Sequence, residues 1–340
     1  MAGTCLTTWH IITSEFPPQP GGVSDYTAQL APVLEAAGQP VRVWCHEFGK
    51  FTPRELSQVG RELDRCAAPR RILLQWVPHG YGCRSMNVNF CRWIASRPEP
   101  LEIMVHEPGL GFGEGGMRHD AVAAVHRLMT MILLRRAAHV WISIPAWEAR
   151  MRPYALGRKI PFTWLPVPSN IPVSTTCTPR SHPVGYFGQY DDHSTKMLNQ
   201  VLDQLDMPVL LIGRGSERIS HRNAKIAGEL APLALSEAIQ SCETIFHIYP
   251  DGVSSRRGTI MASLAHGMAI VTTTGKFTEP IWRELGAVEL ASDPAGILIQ
   301  LTRLAVEPER KQLLRHRSLA LYNERFALQN TIHRLISANR

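Results

Sequence analysis

Long apolar runs are missing from this 340-residue chain. Nothing approaches the roughly 18 uninterrupted apolar residues that a membrane-crossing helix needs. The start, MAGTCLTTWHII, has no basic segment ahead of its short apolar run and reads as lacking a secretory signal. The cysteines (Cys5, Cys45, Cys66, Cys83, Cys91, Cys177 and Cys242) are odd in number and show no CxxC spacing. That excludes a disulfide framework and predicts a reduced, cytoplasmic protein whose cysteines mostly serve as small core residues. Basic residues give a net charge of +7, yet no run exceeds a pair such as Arg70 and Arg71. No nucleic-acid module or interleaving of basic and aromatic residues is present, so the charge points to anionic small molecules or an anionic surface instead. GxSxG is absent, which disfavours an α/β-hydrolase triad, and the 17–26 loop is not a GxGxxG turn, which disfavours a dinucleotide site there. There is no short internal repeat.

What is present is alternation. With 44% hydrophobic and 19% charged residues, the composition is that of a globular protein, and the length suits two domains. Strand-like apolar runs at 6–13, 41–45, 72–77, 101–106 and 139–144 alternate with helical spacing at 23–37, 87–96 and 118–136. The stretch 128–134 followed by Arg135 and Arg136 could lie on a membrane surface, but reads better as a core-facing helix. Five prolines between Leu165 and Pro183 break the pattern and mark a linker, placed at 169–183. The alternation then resumes, with strands at 184–187, 209–212, 244–249, 269–272 and 288–290, and helices between and after them. The chain therefore reads as α/β: two Rossmann-like, doubly wound parallel-sheet domains, 1–168 and 184–326. Ligands are expected at the carboxyl ends of their strands. The last segment, 327–340, is a helix.

The organising stretch is 251–275, DGVSSRRGTIMASLAHGMAIVTTTG. It follows a buried strand and reads as turn, helix and strand, with Gly267 ending the helix. Its turn carries Asp251, Ser254, Ser255, Arg256, Arg257, Gly258 and Thr259 into a helix N-terminus. Free amides, a positive dipole end and two guanidiniums together suit a phosphate or diphosphate. Gly21 and Gly22 precede the first helix and could let backbone approach a ligand, with Asp25 in the first turn placed to hold a sugar hydroxyl. His106 and Glu107 close the fourth strand, where either could move a proton in a cleft. His79 follows the third strand, and His10 reads as core. Lys196 follows the 187–191 strand end, suited to phosphate oxygens. Asp191, Asp192 and His193 have the composition of a turn, and no metal is expected there.

Several of these pieces together resemble one family, the two-Rossmann-domain (GT-B) glycosyltransferases, and most of all glycosyltransferase family 4. The resemblance spans nearly the whole chain and rests on 16–26 (FPPQPGGVSDY), the His106 strand end, 166–172 (PVPSNIP), 187–191 (FGQYD) with Lys196, and 251–275. It implies a donor nucleotide sugar in a cleft between the domains, held mostly by the C-terminal one, and an acceptor held mainly by the N-terminal one. It also implies a final helix crossing back to the N-terminal domain, transfer without a metal or other cofactor, and retention of anomeric configuration. On this reading His106 and Glu107 serve the reacting sugar. Gly21, Gly22, Gly188, Lys196, Asp251, Ser254, Arg256, Arg257, Gly258 and Thr259 serve the donor and its diphosphate. Asp25, Tyr26 and His79 serve the acceptor, which could be a lipid-linked glycan, a polysaccharide repeat or a small molecule. The expected location is cytoplasmic, with peripheral contact at the inner membrane face left open.

The chain departs from the family in places. Gln189 stands where the family usually has an arginine. Aligned on Gly267, Ser254 and Ala262 stand where it usually carries two glutamates eight positions apart. Arg256 and Arg257 could replace the arginine, and Asp251 or Glu279 a carboxylate. The alternatives to a transferase are a nucleotide-sugar epimerase and a nucleotide-sugar-binding protein that has lost catalysis.

Overall fold

In a computed structural model that describes residues 7–46, 51–176 and 178–338, the chain divides into two compact units. The first comprises residues up to Pro166 together with the chain from Ile332 onward; the second is Val167–Thr331. The proline-rich segment 169–183 belongs to the second unit. Leu6, Cys5 and Cys177 lie outside the described residues.

The first unit runs β1 (Thr8–Ile12), α1 (Gly22–Ala36), β2 (Val41–Trp44), α2 (Pro53–Asp64), β3 (Arg70–Trp76), α3 (Val88–Ser96), β4 (Leu101–Val105), α4 (Met117–Leu134), β5 (Ala137–Ile142), α5 (Ala146–Met151) and β6 (Phe162–Trp164). Its six strands are all parallel, in the order β2-β1-β3-β4-β5-β6. A strand buried on both faces needs continuous apolar sequence, and β4 is buried at every position. Its one charged residue, Glu102, is met by the Arg71 guanidinium and by Trp141 Nε1 at 2.8 Å. His10 is fully buried in β1 and accepts from Trp44 Nε1 at 3.0 Å, as a core residue would. Helix α4 turns Met129, Thr130, Leu133 and Leu134 into the core. Among the described residues no helix is long and apolar enough to cross a membrane.

The second unit runs β7 (His182–Phe187), α6 (Asp192–Leu202), β8 (Val209–Ile212), β9 (Ala224–Gly228), α7 (Pro232–Gln240), β10 (Cys242–His247), α8 (Gly258–Ala265), β11 (Ala269–Thr273), α9 (Ile281–Glu284), β12 (Glu289–Ala291), α10 (Pro294–Val306) and α11 (Pro308–Leu321). Helix α12 (Leu328–Ser337) follows; its turns from Ile332 belong to the first unit, where Arg334 donates to the Trp164 carbonyl at 2.8 Å. The second sheet is also fully parallel, in the order β12-β11-β10-β7-β8-β9. Both units are thus α/β and Rossmann-like. In the first, the chain winds from β1 to β2 on one side and resumes at β3 on the other. In the second, β8 and β9 lie on one side of β7 and β10 on the other. Those reversals leave a crevice at the carboxyl ends of β1 and β3, and of β7 and β10.

The cysteines are less uniformly core than expected. Cys91 and Cys242 are buried, Cys45 and Cys66 half-buried, and Cys83 exposed.

Candidate functional site

In the first unit, the crevice gathers the loops after β1, β3 and β4. The loops after β1 and β3 touch closely: a Cβ on Gly80 would lie 2.5 Å from the Ser14 side chain. His106 sits at the end of β4. Its Nε2 lies 2.8 Å from Gln75 Oε1, the Tyr26 ring meets it edge-on at 5.1 Å, and its carbonyl accepts from Trp147 Nε1 at 3.1 Å. With the Gln75 oxygen facing it, Nε2 carries the proton and Nδ1 is left as an acceptor. Burial without a carboxylate partner pushes the His106 pKa down to about 3. The ring is therefore a neutral hydrogen-bonding group around pH 7. Glu107 and His79 are exposed and adjacent, 3.8 Å apart.

At the start of α1 the helix amides are already occupied. Glu15 Oε1 accepts from the amides of Val23 at 3.0 Å and Ser24 at 3.1 Å. The chain's own carboxylate thus fills the helix N-terminus, where it would repel a diphosphate. A Cβ on Gly21 would stand 2.1 Å from Glu15 Oε1, so that glycine makes room for Glu15. Gly22 has open space around it. Tyr26, expected at the acceptor, is 2% exposed and supports His106 from beneath. Asp25 is half-buried in the first turn, its amide bonded to the Gly21 carbonyl at 3.0 Å.

In the second unit, the crevice at β7 and β10 collects the 188–191 loop with the start of α6 and the 248–257 loop with the start of α8. Asp191 caps α6 through Ser194 N at 3.0 Å, so the Asp191 carboxylate has a structural task. Lys196 is exposed one turn further on, and Gly188 ends β7, where a Cβ would press on the Tyr186 hydroxyl at 2.8 Å. The first turn of α8 has no side-chain cap. Around it, Arg257 stands 5.3 Å over the Tyr249 ring, and the Tyr249 hydroxyl pairs with Thr259 Oγ1 at 2.6 Å. Arg257 Nε and the fully buried Ser254 Oγ find no acceptor or donor among the described residues. Buried polar atoms of this kind normally have partners, and an oxygen-rich anion would supply them.

The carboxylates offered as replacements for the family's are committed elsewhere. Asp251 pairs with Lys276 at 2.9 Å and with Arg256 at 3.6 Å, and Arg256 also lies over Phe277. Glu279 is buried. Its Oε1 accepts from Ser255 N at 2.8 Å and Ser255 Oγ at 2.5 Å, its Oε2 from Trp282 Nε1 at 2.7 Å. Burial pushes its pKa up, against these hydrogen bonds. Glu279 therefore holds the Ser254–Arg257 turn in place, and its oxygens are taken. Ala262 is fully buried within α8. The sequence reading missed Glu15 and Gln75. Glu15 carried a signal, a carboxylate a few residues before a glycine pair and a helix start; Gln75 carried none, because its partner lies 31 residues away on the next strand.

No family model matches the sequence, and no curated relative matches it. Solved structures do match. Sucrose-phosphate synthase from Thermosynechococcus elongatus is 13% identical, with a TM-score of 0.74 over 98% of this chain and 98% of that one. Anabaena HepE, solved in complex with UDP and glucose, is 11% identical, with a TM-score of 0.67 over 98% of this chain and 99% of that one. A glycosyltransferase from Rickettsia africae is 9% identical, with a TM-score of 0.69 over 98% of each. At these identities the likeness is one of fold, and it runs through both parallel-sheet units.

Proposed function

We propose that this protein is a glycosyltransferase of the GT-B class, most like family 4, moving a hexosyl group from a nucleotide-diphosphate sugar to a hydroxyl acceptor. The observation that carries the reading is the uncapped first turn of α8 at the β7–β10 crevice, with Arg257 Nε and Ser254 Oγ lacking partners beside it. The departing diphosphate would take those amides and the Arg257 fork, with Lys196, Arg256, Gly258 and Thr259 completing its surroundings. Stabilising that charge favours breaking the bond from the anomeric carbon to the diphosphate oxygen as the bond to the acceptor oxygen forms, with the acceptor's hydroxyl proton passing to the departing diphosphate. On this reading the cations neutralise the diphosphate without a metal. The acceptor sits on the first unit near His106, Glu107, His79 and Asp25, with His106 offering a neutral hydrogen bond. Retention of configuration, a place in polysaccharide assembly, and a cytoplasmic site with peripheral seating on an anionic membrane face belong to the same proposal. The net charge of +7 suits such a face. HepE was solved with UDP and glucose, so a uridine donor is the first to try.

The fully buried Ala262, where the family carries a glutamate, favours a second reading, a nucleotide-sugar-binding protein without turnover. Calorimetry with UDP and UDP-hexoses, followed by product analysis with and without acceptors, separates the two. The transferase reading expects binding, and product only when acceptor is added. Binding without product supports the second reading, and an altered donor sugar without acceptor would show an epimerase. Arg257→Ala should weaken UDP binding roughly ten- to hundredfold, the worth of a charge-assisted hydrogen bond. Unchanged affinity overturns the assigned site.

A further inference from the structure

The first unit carries a cavity of about 330 Å³ that none of the assigned residues lines. Its walls come from the glycine-rich loop after β4, from α4, and from α5 with the turn that follows it. It is a neighbour of the His106 edge: Pro108 lines it, and α5 is tied to the His106 carbonyl through Trp147 Nε1.

The charge of the wall is one-sided. Arg127 and Arg150 line it, and no aspartate or glutamate does. Among the described residues the hydrogen-bond partners of Arg127 are neutral: Nε donates to the Tyr154 hydroxyl at 2.9 Å, and Nη1 to the carbonyls of Ala123 at 2.7 Å and Leu110 at 3.2 Å. Its guanidinium also stacks over Phe112 at 3.5 Å. Those bonds orient the fork without cancelling its charge. Arg150 is exposed at the rim, beside Trp147. The loop wall is fixed in place as well. Gly109 has φ of 113°, and a Cβ there would stand 3.0 Å from His126 Nδ1. Leu110 N donates to that nitrogen at 3.3 Å, while His126 Nε2 donates to the Ser85 carbonyl at 2.8 Å. Burial lowers the His126 pKa, which keeps this ring neutral and its two roles distinct.

An oriented guanidinium on a prebuilt wall, with a second one at the mouth, is suited to bidentate recognition of a carboxylate or phosphate. The volume lies at the low end for ligand pockets, which suits a sugar-sized molecule and is too small for a lipid chain. We propose that this cavity seats an anionic group of the acceptor, so that the acceptor is a sugar phosphate or an acidic sugar. The proposal rests on the reading that the first unit holds the acceptor.

The test is calorimetry on the full chain with glucose 6-phosphate, glucuronate and glucose as probes, and UDP measured in parallel. At least one charged sugar should bind ten times or more tighter than glucose, and the separate arms decide between phosphate and carboxylate. Arg150→Gln should remove most of that preference while leaving glucose and UDP as in the parent. Arg127→Lys, which keeps the charge but loses the fork, should lower it as well. The proposal falls if neither charged sugar outbinds glucose, or if both variants bind like the parent. Loss of charged-sugar binding with UDP affinity intact removes this inference alone. Charged-sugar binding without any UDP affinity keeps the cavity assignment and removes the donor reading.

Discussion

At the scale of single residues, the chemistry turns on which charges are already answered. Glu279 and Glu15 are carboxylates at the mouths of the two crevices, and each is occupied by the chain itself: Glu279 by Ser255 and Trp282, Glu15 by the amides of α1. Arg257 is the counter-case, with a nitrogen left over. Glu279→Gln tests the difference between holding a turn and holding a ligand. The amide can accept on one side only, so its NH2 group must face either the Ser255 donors or the Trp282 N–H. One buried hydrogen bond is then left unmade, at about 1–3 kcal/mol. The expected outcome is a loss of that size in urea unfolding, together with weaker UDP binding, because the Ser254–Arg257 turn is no longer held. Parent-like stability would show that the carboxylate does not hold the turn.

At the scale of elements, the second crevice is two turns locked against each other. Gly252 has φ of 84°, and a Cβ there would stand 2.1 Å from Gly275 N. Phe277 N donates to the Asp251 carbonyl at 3.0 Å, and Val253 N to the Thr273 carbonyl at 2.8 Å. Gly252→Ala must push backbone against backbone in a left-handed conformation. It is expected to destabilise by roughly 1–3 kcal/mol and to weaken UDP binding without touching a ligand. A variant with parent-like unfolding and affinity would show that the turns can separate freely. The same elements show what sequence could reveal. Central strands such as β4, β10 and β11 were readable because a strand covered on both faces is mostly apolar. The edge strands β6 and β9 were not, since they are short and half-exposed and carry no such run. Helix α2 was overlooked although Thr52 and Glu55 form its capping box and Pro53 opens its first turn. The turn and helix start at 254–259 were readable because they depend on local order. The site was not readable where a distant partner decides the role, as for Glu279 with Ser255 or His106 with Gln75.

At the scale of the molecule, each unit buries a histidine that must stay neutral. In the first, His10 accepts from Trp44 Nε1 at 3.0 Å and is fully buried. In the second, His247 donates through Nδ1 to the Phe187 carbonyl at 2.5 Å and accepts from Ser263 Oγ at 3.0 Å. Protonation would turn each acceptor nitrogen into a donor facing another donor, and burial pushes both pKa values down to about 4. The unfolded chain takes up these protons near 6.5, and the folded chain only near 4. Between those values the unfolded state binds more protons, so stability falls as pH drops through the window and is fully present above it. Each ring contributes about 2 kcal/mol of that loss by pH 5. Both units are therefore expected to unfold at lower urea at pH 5 than at pH 7.5. His247→Gln can keep the donation to Phe187 and the acceptance from Ser263, but it cannot take a proton. Its second unit should start less stable at pH 7.5 and lose less on acidification, while the first unit keeps the parent's pH dependence. Urea midpoints that stay level in the parent from pH 7.5 to pH 5 would mean that these imidazoles titrate as they do in water, and that the two cores tolerate the charge.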